Sequence, residues 1–219
     1  MEQNKFHAIG RIARRKDGIA KVTGREVYSS DVTLPHLLFA RVLRSPIPHA
    51  RIKSINTREA EKMGAVCITS EDTPDIKYNE RQVSIPEKTY RDRVVLPDKV
   101  RHVGEGFAAV AAKTESLAEK AMRSIKVEYE KLPAIFDPYE AMRSGSPQLY
   151  DEICLGDTKL PIESNIACHR EVGEGDVEHG FKEADLVVEK EFRTGRVYHA
   201  QMETKSVVCR PEPDGGISV

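Results

Sequence analysis

The 219-residue sequence lacks tryptophan and any long apolar run. Its uncharged segment Gly106–Ala112 is far shorter than the ~20 residues that a membrane-spanning helix needs. The opening residues, Met1–Gly10, are polar and interrupted by charge, unlike a secretory signal peptide. Because 34 basic residues nearly balance 35 acidic ones, no bulk charge draws the chain to nucleic acid or to a membrane surface. These absences favour a cytoplasmic protein that binds neither.

The cysteines show no spacing that is typical of a metal site. There is no C-x2-C pair, so we expect neither a zinc ribbon nor an iron–sulfur cluster held by this chain. The sequence also lacks an N-x-[ST] glycosylation site. We predict reduced, mostly packed thiols and no metal ligands. The four cysteines are Cys67, Cys154, Cys168 and Cys209.

Short apolar and alternating segments predict a mixture of strands and helices in the first third of the chain. The first thirty residues predict an extended lead-in with turns at Asp17-Gly18 and Thr23-Gly24. A short helix is predicted to begin at Asn56 or Thr57 and to end at Gly64. Strands are predicted at 37–43, with the composition of a buried strand, and at 50–54 and 65–69.

The middle of the chain predicts a surface excursion followed by a return to the core. Segment 71–98 holds three prolines and charges of both signs, which excludes a core helix and predicts a long excursion or a hairpin. An apolar run, a helix with a capping box at Ser116 and Glu119, and an alternating run then predict a β–α–β unit over 105–131. Such a unit normally has parallel strands and a right-handed crossover.

Proline and glycine interrupt the pattern after residue 132. We therefore place a first domain at 1–140, a linker at 141–172 and a second domain from 173 onward. Limited proteolysis is expected to cut within 140–172 before it cuts 105–131, because exposed proline- and glycine-rich chain opens most readily.

The last part of the chain predicts a short helix and several strands. Asp176 is expected to cap the helix, and 211–216 to form a turn. The final strand has only three residues, so we expect either part of a longer chain or the product of a split gene. The strands are predicted at 186–192, 203–210 and 217–219.

Residues Gly104–Ala109 satisfy G-x-G-x-x-A, a form of the dinucleotide-binding fingerprint. That motif needs a helix directly after the glycines, so that amide groups meet a pyrophosphate. Here a strand-like apolar run follows instead. We interpret the motif as a tight turn that enters a strand.

The segment His199-Ala200-Gln201-Met202-Glu203 places a histidine and a glutamate four positions apart, which on a helix could ligate a metal. The neighbouring valines and tyrosine favour a strand or a loop, and no third ligand is evident. Two other interpretations remain: a pocket near a cofactor lined by His199, Gln201 and Glu203, or satisfied structural hydrogen bonds.

The basic cluster Arg11–Lys16 has no interleaved aromatic residues. A solvated face or a subunit contact therefore fits it better than nucleic acid. The sequence contains no G-x-S-x-G, Walker or H-E-x-x-H motif, and no catalytic residue is predicted.

Several segments, each weak alone, occur in an informative order over nearly all of 9–219. They include Lys21-Val22-Thr23-Gly24, Pro48-His49-Ala50-Arg51-Ile52, Val103-Gly104-Glu105, 127–134 and Gly175-Asp176-Val177-Glu178. Together they resemble the large subunit of the molybdenum hydroxylases, the xanthine dehydrogenase and aldehyde oxidase family. The segment from His199 to Glu203 resembles that family's H-x-x-x-E element. Gly106 departs from the family, which often has proline after this turn.

The resemblance implies an α+β chain, with an α/β hammerhead domain at 1–140 and the first strands of a truncated molybdopterin-binding domain at 173–219. It implies that the large subunit binds a molybdenum–pterin cofactor and hydroxylates a small-molecule substrate, with a glutamate as base. Electrons then leave through [2Fe–2S] clusters and FAD on partner domains or subunits. The family's cofactor loops and base glutamate correspond to sequence beyond Val219.

We therefore expect the N-terminal portion of a molybdenum-dependent hydroxylase subunit, structural within the enzyme, inactive alone and without a cofactor of its own. One alternative is a stand-alone scaffold subunit from a split gene, which completes such an enzyme by association. Another is a free-standing small-molecule binder.

Overall fold

The computed structural model describes residues 13–79, 90–155, 158–162, 164–166 and 171–219. No helix in these ranges is long and apolar enough to cross a membrane. Internal contacts divide the chain into a larger unit, His36–Asp185, and a smaller unit formed by Met1–Pro35 and Leu186–Val219.

The larger unit contains a mixture of helices and strands, whereas the described part of the smaller unit holds one short α-helix, a 3-10 turn at Ser29–Asp31 and two short strands. The helices are α1 (Gly18–Val22), α2 (Arg58–Lys62), α3 (Glu115–Ser124), α4 (Pro138–Ala141) and α5 (Val177–Glu183). The strands are β1 (Phe39–Arg44), β2 (Ala50–Asn56), β3 (Val66–Ile68), β4 (Tyr90–Arg91), β5 (Lys99–Val100), β6 (Gly106–Ala112), β7 (Lys126–Lys131), β8 (Glu152–Leu155), β9 (Thr158–Pro161), β10 (Arg210–Pro211) and β11 (Ile217–Ser218).

Strand β6 is the centre of a three-stranded sheet, with β1 and β3 antiparallel on either side. One face of this sheet packs on α2 and α3, where Ala60, Ala118 and Ala121 are fully buried against Val110 and Ala112. The pairing of β1 with β6 shifts near the end of β1, which is a β-bulge.

The apolar stripe predicted on α3 is confirmed. Leu117, Met122 and Ile125 pack against the same buried cluster as the two helix alanines. The predicted capping box is wrong, however, because Thr114 is the N-cap and its Oγ1 accepts a hydrogen bond from the Leu117 amide at 3.2 Å. Ser116 lies inside the helix.

A second three-stranded sheet has β2 at its centre, with β5 and β7 antiparallel beside it. Its core contains Ala50 and Val100 together with Phe107 and Ala108 from β6. The Phe107 ring meets the ring of Tyr129 edge to face, with centroids 6.0 Å apart and an interplanar angle of 84°. This aromatic contact joins the first and second sheets.

The parallel pairing predicted within 105–131 is wrong. The order strand, helix, strand is present as β6, α3 and β7, but β6 belongs to the first sheet and β7 to the second. There β7 pairs antiparallel with β2. Alternation identifies a strand, but it does not specify which strand takes its hydrogen bonds.

Two predictions near the start of the chain change in detail. The first is a buried strand at 37–43; the observed strand β1 is largely exposed or half-buried. The second is an extended lead-in with a turn at Asp17-Gly18; there the chain forms the one-turn helix α1, and Gly24, which follows the C-cap Thr23, has φ of +68°. The short helix predicted to end at Gly64 is confirmed as α2, and Gly64 has φ of +80°.

The region predicted as a linker, 141–172, contains ordered structure. Strands β8 and β9 form an antiparallel hairpin, and β4 pairs with β8 to complete a third sheet. The predicted hairpin of the excursion is present as an antiparallel bridge, in which Tyr78 and Arg93 exchange backbone hydrogen bonds of 2.8 and 3.1 Å. Residues 80–89 lie outside the described residues.

The last third of the chain matches the predictions only in part. Asp176 caps α5, accepting a hydrogen bond from the His179 amide at 2.9 Å, as predicted. The turn at 211–216 is also present, closing the β10–β11 hairpin with Gly215 at φ of +87°. The strands predicted at 186–192 and 203–210 are wrong, because no strand is present in 186–209 and no described segment pairs with it; only the last residue of the second range, Arg210, belongs to a strand, β10.

Candidate functional site

A cleft of about 540 Å³ opens on the larger unit. Its lining comes from Arg51 and from three segments, 70–77, 92–101 and 150–152. Most of these residues belong to the predicted excursion, 71–98, and to the predicted linker, 141–172. No motif pointed to this cleft, because its residues are far apart in sequence.

One wall of the cleft is a segment that we call the strap, residues 149–152. Each of its last three side chains contacts at least one basic side chain of the larger unit. The contacts join the Arg101 guanidinium to the Tyr150 ring at 4.3 Å, Lys99 Nζ to Asp151 Oδ2 at 3.2 Å, and Lys77 Nζ to Glu152 Oε1 at 2.7 Å.

Burial decides how much each of these contacts contributes. The Lys99 side chain is only 6% exposed, whereas that of Asp151 is 65% exposed. Arg101 also donates from Nε to the Leu149 carbonyl at 2.9 Å, so it holds the strap through both a ring and a backbone group. Ion pairs with one exposed partner contribute little, so we regard Arg101 as the main anchor of the strap.

The electrostatics of the strap follow from these contacts. Two hydrogen bonds, the stronger effect from Lys77 and the weaker from Lys159, lower the pKa of Glu152 below its ordinary value. Burial raises the pKa of Tyr150, and the nearby arginines only partly oppose this. At neutral pH Tyr150 is therefore a neutral phenol and Glu152 is a carboxylate.

Asn165 fastens the chain on either side of the strap. Its amide nitrogen donates to the carbonyls of Ala141 and Pro147, at 3.1 and 3.0 Å, and its oxygen accepts from the Leu149 amide at 3.1 Å. One side chain thus satisfies three backbone groups that belong to no strand ladder.

The cleft does not fit a phosphate-bearing pterin cofactor. Its basic residues on the strap side are already engaged with the strap. Within the part of the chain that the structure describes, four lining carboxylates make no ion pair, and they would repel a phosphate group. They are Glu71, Asp75, Asp92 and Asp98.

The three residues proposed from sequence as pocket-lining, His199, Gln201 and Glu203, are all exposed. Ala200 between them has φ of +49°, so this stretch is not a helix and lacks the helical His–Glu spacing that a metal site would need. The described residues bring together no group of three or more histidine, cysteine or acidic side chains that could hold a metal.

The turn at Gly104 is confirmed as a structural turn. Gly104 has φ of +89°, and strand β6 rather than a helix follows it. The Ser45 amide donates to the Glu105 carbonyl at 2.9 Å, and the Gly104 amide to the Ser45 carbonyl at 2.8 Å. The buried Glu105 carboxylate accepts a hydrogen bond from the Arg101 amide at 2.5 Å.

The basic cluster and the cysteines show no functional arrangement among the described residues. Arg14, Arg15 and Lys16 are exposed, and the first two residues of the cluster lie outside the described residues. Cys67 and Cys154 are half-buried free thiols, as expected. Cys209 is exposed rather than packed, and Cys168 lies outside the described residues.

Comparison with known proteins identifies two families along the chain. Residues 23–133 match the family described as aldehyde oxidase and xanthine dehydrogenase, a/b hammerhead domain. Residues 161–219 match the molybdopterin cofactor-binding domain. The two matches follow one another in the order that the sequence resemblance implies.

Individual relatives agree with these matches. The chain is 38% identical over 94% of its length to a probable xanthine dehydrogenase component of Bacillus subtilis, and 31% identical over 98% of its length to the nicotinate dehydrogenase large molybdopterin subunit of Eubacterium barkeri. It spans 26% and 47% of these two proteins.

Solved structures give the same answer for the fold. The aldehyde oxidoreductase of Desulfovibrio gigas aligns with 62% of the chain at a TM-score of 0.54 and 31% identity, and the chain covers 16% of that protein. The match of the hammerhead profile to half of the sequence shows that this chain belongs to the aldehyde oxidase and xanthine dehydrogenase family.

Proposed function

We propose that this chain is the N-terminal, structural portion of the large subunit of a molybdenum-dependent hydroxylase. The observation that carries the proposal is the hammerhead match at 23–133 followed by the molybdopterin-domain match at 161–219. In this proposal the hammerhead domain occupies 1–140, a connecting segment 141–172, and the start of the molybdopterin-binding domain 173–219.

The split-gene alternative is not favoured. In relatives such as the xanthine dehydrogenase component of Bacillus subtilis, the matching region is 26% of a single polypeptide. A stand-alone scaffold would need a partner chain that supplies the remainder. The length of the relatives supports one continuous subunit instead.

The connecting segment has a mechanical role in this proposal. The strap docks on Arg101, Lys99 and Lys77, and Asn165 ties the chain on both sides of it. These contacts fix where the chain leaves the hammerhead domain. The molybdopterin-binding domain would therefore begin from a defined position rather than from a flexible tether.

The described residues do not form a cofactor site, so we derive no catalytic step from them. In the family, the molybdenum–pterin cofactor supplies the redox chemistry. We propose that residues beyond Val219 hold it, with His199, Gln201 and Glu203 as candidate pocket-lining residues of the complete domain. Partner subunits or domains would carry the [2Fe–2S] clusters and FAD, and this chain alone would be inactive.

Expression of the 1–219 chain beside the full-length subunit, in a host that makes molybdopterin, tests the proposal. Molybdenum by mass spectrometry and pterin by fluorescence should both be found on the full-length subunit and be absent from the 1–219 chain. A full-length subunit without molybdenum, purified with its partners, would overturn the proposal. Turnover by the 1–219 chain alone would overturn its structural role.

A further inference from the structure

The first sheet has a face that no described helix covers, which we call the open face. Antiparallel partners project their side chains to the same side of a sheet, and neighbours along a strand alternate. Because β1 and β3 both pair with β6, one set of residues lies on the side of the sheet that faces away from the helices. They are Ala40, Val42, Val66, Ile68, Ala109 and Ala111.

The open face is aliphatic except at its edge, where Arg44 lies beside Val42 and donates to the Gly104 carbonyl at 2.9 Å, and it is accessible. Val66 is 60% exposed, and Val42 and Ile68 are each 42% exposed. The outer strand β7 of the second sheet, in contrast, exposes lysines and glutamates. An exposed and mainly aliphatic surface is typical of a permanent interface, because transient interfaces are no more apolar than ordinary protein surface.

The size of the open face indicates what covers it. Three strands about 4.8 Å apart and some four residues long present on the order of 200–300 Å². A stable complex between separate chains buries roughly 800 Å² on each partner. So small a surface is better suited to contact within one polypeptide, where the tether supplies a high effective concentration.

We propose that the open face is covered by the part of the same large subunit that follows Val219. This inference rests on the proposed function, which requires such a continuation. The relatives are long enough to provide it, since the chain spans 26% of the Bacillus subtilis protein. The covering surface would be mainly apolar, because a charge buried against the aliphatic part of this face would lack a partner.

Cysteine labelling measures the access of a reagent to the open face. Val42→Cys is compared in the 1–219 chain, the full-length subunit and the complete enzyme, with mass-spectrometric mapping of the modified residue. We expect labelling of Val42→Cys to be at least tenfold slower in the full-length subunit alone than in the 1–219 chain. Lys120→Cys, at an exposed position of α3, is the matched control for a general loss of access.

The other outcomes overturn the proposal. Labelling that slows only in the complete enzyme would mean that a partner subunit covers the face. Labelling of the 1–219 chain that is slow and depends on protein concentration would mean that a second copy of the chain covers the face. Rapid labelling in all three samples would mean that nothing covers it.

A charge on the face provides a second measurement. Val66→Lys should leave the soluble yield of the 1–219 chain unchanged and should reduce that of the full-length subunit several-fold; equal yields would overturn the proposal. Molybdenum is measured on the same wild-type subunit. Its absence would overturn the proposed function, whereas the labelling pattern decides the docking surface by itself.

Discussion

Gly106 lies where β6 passes so close to β1 that a side chain has no room. A Cβ at this position would lie 2.7 Å from Val42 Cγ1, closer than real contacts of this kind. The φ of Gly106 is not in the left-handed region, so the constraint is space rather than backbone strain. This gives a physical reason for the departure from the proline that the resemblance leads one to expect.

Gly106→Ala should therefore lower the free energy of unfolding by about 1–3 kcal/mol, as is usual for an overpacked site. Urea denaturation measures this change. Val42→Ala removes the obstructing methyl groups, so the double variant should recover most of the loss. A double variant no more stable than Gly106→Ala would contradict the explanation.

Gly180 is the matched control for this substitution. It lies within α5, and a Cβ there would meet nothing within 4 Å. Gly180→Ala should stabilise the helix by about 0.5–1 kcal/mol, because alanine loses less backbone entropy than glycine.

At the scale of elements, two residues near the start of α3, Thr114 and Ser116, are candidate N-caps, and alanine substitution distinguishes them. Thr114→Ala should cost about 1 kcal/mol, since it removes the acceptor for the Leu117 amide. Ser116→Ala should be close to neutral, because Ser116 is already helical. Equal losses in thermal or urea unfolding would show that the cap is not the source of the difference.

The strap should loosen when Arg101 is replaced by lysine. Lysine cannot stack its charge on Tyr150 while donating to the Leu149 carbonyl, so about 1–2 kcal/mol of docking energy is lost. Amide exchange in β8 should become roughly tenfold faster through local opening. Arg123→Lys, in an exposed pair with Glu119, is the control and should change nothing. An unchanged amide exchange rate of β8 in Arg101→Lys would show that Arg101 is not the main anchor of the strap.

Docking of the strap should also depend on pH. The pKa of Glu152 is lowered in the folded chain by hydrogen bonds from Lys77 and Lys159. The ion pair therefore contributes fully above the ordinary value of 4.5 and is lost as the pH falls through the lower folded value. After correction for the intrinsic effect of pH on amide exchange, the exchange rate of β8 should rise below pH 4.5. The Glu152→Gln variant should not show this rise. A pH dependence that persists in Glu152→Gln would assign it to another group.

The same elements show how far sequence reasoning reaches. The stripe on α3, the cap at Asp176 and the turn at Gly104 depend on neighbours in sequence, and all three were predictable. The pairing of β7 with β2 depends on residues far away, so alternation alone gave the wrong partner. The cleft was missed for the same reason: Arg101 and Tyr150 belong to no common motif.

At the scale of the whole molecule, the segment 186–209 stands apart. It carries large apolar side chains that are exposed, such as Phe192 at 84% and Tyr198 at 78%, and it contains no strand. A strand requires a neighbour for its backbone groups, and none of the described segments provides one. The alternating pattern in this sequence therefore fits a strand that forms only beside further chain.

Hydrogen exchange can test this interpretation directly. In the 1–219 chain, the amides of 186–209 should exchange at the rate of an unstructured peptide. In the full-length subunit they should be at least a hundredfold slower, because pairing with later segments would satisfy the backbone and bury residues such as Phe192. Helix α3 should be equally protected in both and serves as the internal control. Strong protection of 186–209 in the 1–219 chain would contradict the prediction, since the segment would then be complete without the rest of the subunit.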